Sequence, residues 1–304
     1  MTRPGSFTDR LRGTTPQPID RTVWRLAWYS YGDHAPWSDA AWAPAPQPDL
    51  PQGWTRVPDT GLYAPSDDAN PAQDRSSGFR AMVFVEADEH VVIGFRGTDS
   101  RKDWVANGEQ LLGHPTEQYA EAMALARTAL ARRGRRVVFT GHSLGGGLAA
   151  AAALASGLTA VTFNAAGVHR HTAATAARLR GGDATTDSVL AEAATGQIRA
   201  YRTSTDILSA VQESRPGRSL PQVPGSLIDL PVPADADQSA WERQGRTRAP
   251  AAGAVLGAAL TGGTPAGWGL GALAGAAAGS ELAKGVHGHL YRAIDAGLAE
   301  LFPE

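Results

Sequence analysis

Arg136-Val-Val-Phe-Thr-Gly141-His142-Ser143-Leu144-Gly145-Gly146-Gly147-Leu148-Ala149-Ala150 is the stretch on which the fold turns. Residues 137–140 form a short apolar run, which predicts a buried strand. Residues 148–154 are Ala and Leu, which predicts a helix. Between them stands G-x-S-x-G: Gly141, Ser143 and Gly145. The chain holds 35 glycines, so the bare pattern says little. A strand before it and a helix after it are the context of a nucleophile elbow. There the serine sits in a strained turn at the carboxyl end of a strand. A side chain at Gly141 or Gly145 would collide with the crossing backbone. The helix N-terminus behind the serine favours developing negative charge.

Working outward, residues 79–86 and 90–95 read as two strands joined by residues 87–89, a hairpin spacing. Arg96-Gly97-Thr98-Asp99-Ser100 follows the second, and residues 104–112 are a short mixed segment. Residues 117–133 are Ala/Leu-rich and predict a helix that leads into the elbow strand. Beyond the elbow helix, residues 158–165 read as a strand, 172–180 and 186–194 as helices, and 197–203 as a strand ending at Ser204-Thr205-Asp206. Strands alternating with helices predict a mostly parallel sheet with helices on both faces, an α/β fold.

Towards the N-terminus, residues 1–18 read as a loose arm and 19–31 as a helix with Val23, Leu26, Ala27 and Tyr31 on one face. Residues 32–77 read as a long irregular connection, whose Trp37, Trp42 and Trp54 pack over the core or line a cleft. Residues 214–233, with Pro216-Gly217 and Pro224-Gly225, read as turns. Residues 290–302 predict an amphipathic helix.

At 304 residues the chain can bury a full core as one domain. A net charge of −2 points away from nucleic acid. There is no Cys, hence no disulfide framework and no thiolate metal site. The N-terminal residues lack the apolar core of a secretory signal, so the expected location is the cytoplasm, or outside it by a dedicated secretion machine.

A serine alcohol needs an imidazole to take its proton, and the imidazole needs a carboxylate to fix its tautomer. In α/β-hydrolases these follow in the order Ser, acid, His. Of the eight His, only His287 and His289 lie after a plausible acid. His142 lies within the elbow and reads as structural; His169 and His171 precede the acid. Counted from His289, apolar residues at Leu290, Ile294, Leu298 and Leu301 let the last helix pack with the His at its first turn. His289 is the preferred base and His287 the alternative. Asp206, just past the end of a strand, is the preferred acid over Asp183, Asp187, Asp229, Asp235 and Asp237, whose contexts are less strand-like. The oxyanion needs N–H donors. The elbow supplies that of Leu144, and the turn at Gly97-Thr98 supplies the second, with the Thr98 hydroxyl near it.

Phe95-Arg96-Gly97-Thr98 followed by Gly141-His142-Ser143-Leu144-Gly145-Gly146 resembles the class 3 lipase family of α/β-hydrolases. The resemblance covers roughly residues 79–206 and the final helix. It implies a serine esterase acting on lipid esters, phospholipid or acylglycerol, with Thr98 as the oxyanion residue. It needs no cofactor and no metal. Asp206 resembles the family's acid position, although that position is usually more Pro-rich. Bacterial members without a signal peptide include phospholipase-like toxins delivered to competitors. An antibacterial effector role, contact with a membrane surface, and an unidentified immunity or delivery partner belong to that implication.

Residues 249–280 carry no charge, and Gly263, Gly267, Gly271, Gly275 and Gly279 recur every fourth position. Such spacing lets helices pack closely. Residues 250–260 and 266–280 are each shorter than a membrane span, so the segment reads either as a packed helical pair or as a lipid-contacting cap. The expected organisation is an N-terminal arm and Trp-rich cover (1–78), then a hydrolase domain (79–304) with the cap inserted at about 249–284. The competing reading is a membrane-active or partner-binding protein that uses the Gly segment, with the hydrolase core as scaffold.

Overall fold

A computed structural model describes residues 6–32, 49–57, 77–86, 90–97, 116–203, 221–231 and 291–303. In chain order these form α1 (Phe7–Arg10), α2 (Ile19–Tyr29), β1 (Trp54–Val57), β2 (Ala81–Glu86), β3 (Val91–Phe95), α3 (Glu117–Arg133), β4 (Val137–His142), α4 (Leu144–Ser156), β5 (Thr159–Phe163), α5 (Arg170–Arg180), α6 (Thr186–Glu192), β6 (Ile198–Thr203), β7 (Ser226–Leu230) and α7 (Tyr291–Leu301). The expected α/β architecture is present. Seven strands form one sheet in the order of the chain, β1 to β7. β1, β2 and β3 pair antiparallel, and β3 to β7 pair parallel.

That order has a consequence for the layers. Crossovers between parallel strands are nearly always right-handed, so a strand order that never reverses places every crossover helix on one face. α3, α4, α5 and α6 accordingly share one core with Val91, Ile93, Phe95, Val137, Phe139 and Ala160. The other face can be covered only from outside the crossovers. Val92, Val138, Val161, Phe163 and Tyr201, the alternate residues of the same strands, pack against α2 and α7. In α2, Val23, Trp24, Leu26, Ala27 and Trp28 are buried, the spacing of one helix face. In α7, Ala293, Ile294 and Leu298 are buried while Leu301 is exposed, so the stripe expected to reach Leu301 stops at Leu298.

The two covering helices run in opposite directions. Beyond the end of α2, Tyr31 reaches His142 at the carboxyl end of β4. At its start, Arg21 donates to the Phe302 carbonyl just past α7 (3.4 Å). Gly297 lies against Leu230 and the Pro231 carbonyl, at the carboxyl end of β7. The first turn of α7 therefore points to the pole where Ser143 lies.

Three expectations are corrected. Residues 6–18 are not a loose arm: Phe7 and Leu11 are buried. Phe7 stacks on His90 at 4.2 Å, and Thr159 donates two hydrogen bonds to Thr8, from N–H to Oγ1 and from Oγ1 to the carbonyl, at 2.7 Å each. Residues 32–77 are not wholly irregular, because β1 lies within them and extends the sheet, with Trp54 buried beside Phe7. Residues 214–233 contain β7. Its Ile228 and Leu230 face the core while Leu227 and Asp229 face out, a half-buried edge strand too short to give a clear period. Asp229 thus lies in a strand after all, paired on the surface with Arg202 at 2.6 Å. Trp37, Trp42 and the cap at about 249–284, including Gly271 and Gly275, lie outside the described residues. Among the described residues no helix is long and apolar enough to cross a membrane.

Candidate active site

β4 delivers the chain to its carboxyl end at Gly141-His142, and α4 begins at Leu144. Ser143 between them has φ 58° and ψ −127°, outside the region open to ordinary L-residues. Its strain is held by crossed backbone bonds. Ser143 N–H donates to the Phe163 carbonyl (3.1 Å), and its own carbonyl accepts from Gly146 (3.0 Å), Gly147 (3.2 Å) and Ala166 (2.9 Å). Although Ser143 caps α4, its hydroxyl makes no capping bond. From 137 to 156 it is the one residue that is not buried. The fold thus presents a single uncommitted hydroxyl at the mouth of an otherwise closed strand and helix. All thirteen residues of α4 are buried.

The glycines around the elbow are required by contact. A Cβ on Gly141 would stand 2.2 Å from the Gly145 carbonyl oxygen, and one on Gly145 would stand 2.2 Å from that of Phe95. A Cβ on Gly147 would meet the Tyr119 hydroxyl at 2.3 Å. Burial pushes the Tyr119 phenol well above its ordinary range, so it stays neutral beneath the elbow helix. Gly145→Ala is therefore expected to lower both the melting temperature and the activity, because two backbones must part before the methyl fits. Thermal denaturation and ester hydrolysis on one preparation check it; unchanged values for both would mean that α4 can lift off β3 without cost.

His142 is turned away from the site, as its place in the elbow predicts. Its ring is buried against Trp24 and Trp28, and Nδ1 lies 2.9 Å from the Tyr31 hydroxyl. The same hydroxyl lies against Gly97, where a Cβ would come within 2.0 Å of it and 2.7 Å of the His142 carbonyl oxygen. The end of α2 thus braces the turn after β3 against the elbow. The sequence reading missed Tyr31 in this role; its place on the apolar face of the helix expected over residues 19–31 was the available signal.

Leu144, buried at the first position of α4, brings an N–H from the helix end that lacks an intrahelical acceptor. Thr98, Asp206, His287 and His289 lie outside the described residues. The described chain stops next to three of them: at Gly97, one residue before Thr98; at Thr203, three before Asp206; and at Tyr291, two after His289. No group of three His, Cys, Asp or Glu among the described residues could hold a metal ion.

A Tle-like phospholipase domain, of the phospholipase-like group, matches residues 33–262. The chain belongs to this family. The matched span carries the elbow and every strand among the described residues, while α2 and α7, which cover one sheet face, lie outside it. Among curated proteins, this phospholipase-like chain is 43% identical over 162 residues to the extracellular phospholipase A1 of Serratia liquefaciens. The alignment covers 53% of this chain and 49% of the relative, so the chain matches about half the length of that protein.

Proposed function

We propose that the protein is a serine esterase that hydrolyses the acyl ester of a phospholipid or acylglycerol, glycerophospholipid first among these. The observation that carries the reading is Ser143: a strained, uncapped, accessible hydroxyl at the end of β4 in a phospholipase-like family. The relative's description as a phospholipase A1 supports glycerophospholipid as the substrate class. The finer likeness to class 3 lipases rests on the F-R-G-T and G-H-S-L-G-G motifs.

In the first step His289 takes the proton of Ser143, and Oγ bonds to the ester carbonyl carbon. The carbonyl oxygen becomes an oxyanion held by the N–H groups of Leu144 and Thr98. Collapse breaks the bond to the alcohol, which leaves as a lysolipid hydroxyl with the proton from His289. Water then gives a proton to His289 and attacks the acyl carbon; the acyl–Oγ bond breaks as His289 returns that proton to Ser143, and the fatty acid is released. Asp206 orients the imidazole. The direction of α7 supports a base near its start, at the Ser143 pole. β6 lies two strands from β4, about 10 Å across the sheet, a gap an imidazole between two hydrogen bonds bridges.

The proposed body comprises residues 79–304, with the N-terminal segment 1–78 as its cover. The packing of α2 on the sheet supports that role. Delivery outside the cell, as an effector against competing bacteria, is part of the same proposal. The extracellular location in the relative's name supports export.

The test is mass spectrometry of phosphatidylglycerol and phosphatidylethanolamine vesicles after incubation with the enzyme. Lysolipid and free fatty acid are expected in equal amounts; leakage of vesicle contents without either product would favour the membrane-active reading instead. Under the same assay His289→Ala is expected to lose activity as fully as loss of the nucleophile, and His287→Ala only a small part of it. The reverse order would move the base to His287. Small effects from both would remove the imidazole step.

A further inference from the structure

Two non-glycine residues among those described have positive φ: Ser143 at 58° and Asn164 at 42°. They stand at the carboxyl ends of neighbouring strands, β4 and β5. Ser143 owes its conformation to the elbow. Asn164 has no such motif, is 1% exposed, and needs its own account.

The hydrogen bonds supply one. Residues 163 and 166 hold the two backbone groups of Ser143, through the Phe163 carbonyl and the Ala166 N–H. Asn164, between them, holds the end of β6. Its N–H donates to the Tyr201 carbonyl (2.8 Å), and its Oδ1 accepts from the Thr203 N–H (2.9 Å). The parallel register pairs Phe163 with Tyr201 and stops there. One step further, a main-chain carbonyl of β5 would have received the Thr203 N–H. β5 has already turned to pass beneath Ser143, and the Asn164 side chain takes the place of the missing carbonyl. Asn does this because its short amide mimics the backbone and tolerates the left-handed region.

We propose that Asn164 is a positioning residue that fixes the end of β6 relative to Ser143. The inference rests on the serine-esterase reading, in which the acid follows Thr203 by three residues. A side chain that replaces a ladder bond at this point sets the separation of two strand ends without touching substrate. Loss of the bond lets the end of β6 shift, and displacements near 1 Å can cost about 100-fold in rate.

The experiment compares Asn164→Gly, Asn164→Asp and Ser143→Ala with wild type on soluble p-nitrophenyl butyrate. Glycine keeps the backbone conformation and removes the acceptor; aspartate keeps both. Folding is followed by circular dichroism and thermal denaturation. Asn164→Gly is expected to lower kcat 10- to 100-fold with KM within threefold of wild type, and Asn164→Asp to recover most of kcat. An Asn164→Gly protein that is folded and has wild-type kcat overturns the proposal, as does an Asn164→Asp protein no better than the glycine variant. Wild-type activity that survives Ser143→Ala, or no activity at all, would instead defeat the esterase reading.

Discussion

Ser143→Ala is expected to lower ester turnover by a factor on the order of 10³ or more while leaving the fold intact. The size follows from the role proposed for the hydroxyl. Without it no acyl enzyme forms, and only substrate binding and the oxyanion donors remain to assist water. The fold is expected to tolerate the change because the hydroxyl makes no capping bond and is the one side chain of its stretch that is not buried. The melting temperature should stay within a few degrees of wild type, with alanine still strained at φ 58°. Ser143→Gly, which relieves that strain, should be inactive yet at least as stable. Both are measured by fatty-acid release from vesicles and by calorimetry. Turnover at even a tenth of the wild-type rate in a pure Ser143→Ala preparation would mean that another group attacks the ester.

Asp20→Ala is expected to destabilise the protein by about 3–5 kcal/mol, a fall in melting temperature on the order of 10 °C. Asp20, in the first turn of α2, and Arg199, in β6, are both 0% exposed. The carboxylate accepts from Arg199 through Nε (3.0 Å) and a terminal nitrogen, from the Tyr201 hydroxyl (2.6 Å) and from the Gln17 N–H (3.0 Å). Arg199 also donates to the Leu11 carbonyl and to Gln17 Oε1 (3.2 Å). Burial and the neighbouring Asp20 carboxylate hold the Tyr201 phenol well above its ordinary range, so it remains a donor. The network fastens the N-terminal segment and α2 to β6 at the amino-terminal pole, opposite the pole where Ser143 lies. Removing the carboxylate leaves a guanidinium buried without its counter-charge, which accounts for most of the loss. Replacing both partners by apolar residues, Asp20→Leu with Arg199→Met, should therefore cost clearly less than the sum of the single changes. Denaturant titration of the three variants decides it; additive costs would show that the two groups do not act as a pair.

The elbow around Ser143 was legible because its determinants are local. Gly141, Ser143 and Gly145 lie within five residues, and the strand before and helix after them announce themselves by composition. The helix read at residues 117–133 and the hairpin of β2 and β3 were legible for the same reason: period and turn length are properties of a short window. β1 and β7 were not legible. Each has only four or five residues, two of them exposed, and each is a strand only because a longer neighbour offers it a hydrogen-bonding edge.

The sequence by itself determined the α/β class, the strand–turn–helix elbow and the candidate nucleophile within it. The tertiary structure alone decided which distant residues hold the elbow, the strand ends and the N-terminal segment in place. Tyr31 meets His142 across 111 positions, Asn164 meets Thr203 across 39, and Asp20 meets Arg199 across 179. No local period or propensity encodes such pairs. The first and third arise because a sheet of unreversed strand order leaves one face bare and α2 folds back to cover it, and the second arises where β5 turns away from the end of β6.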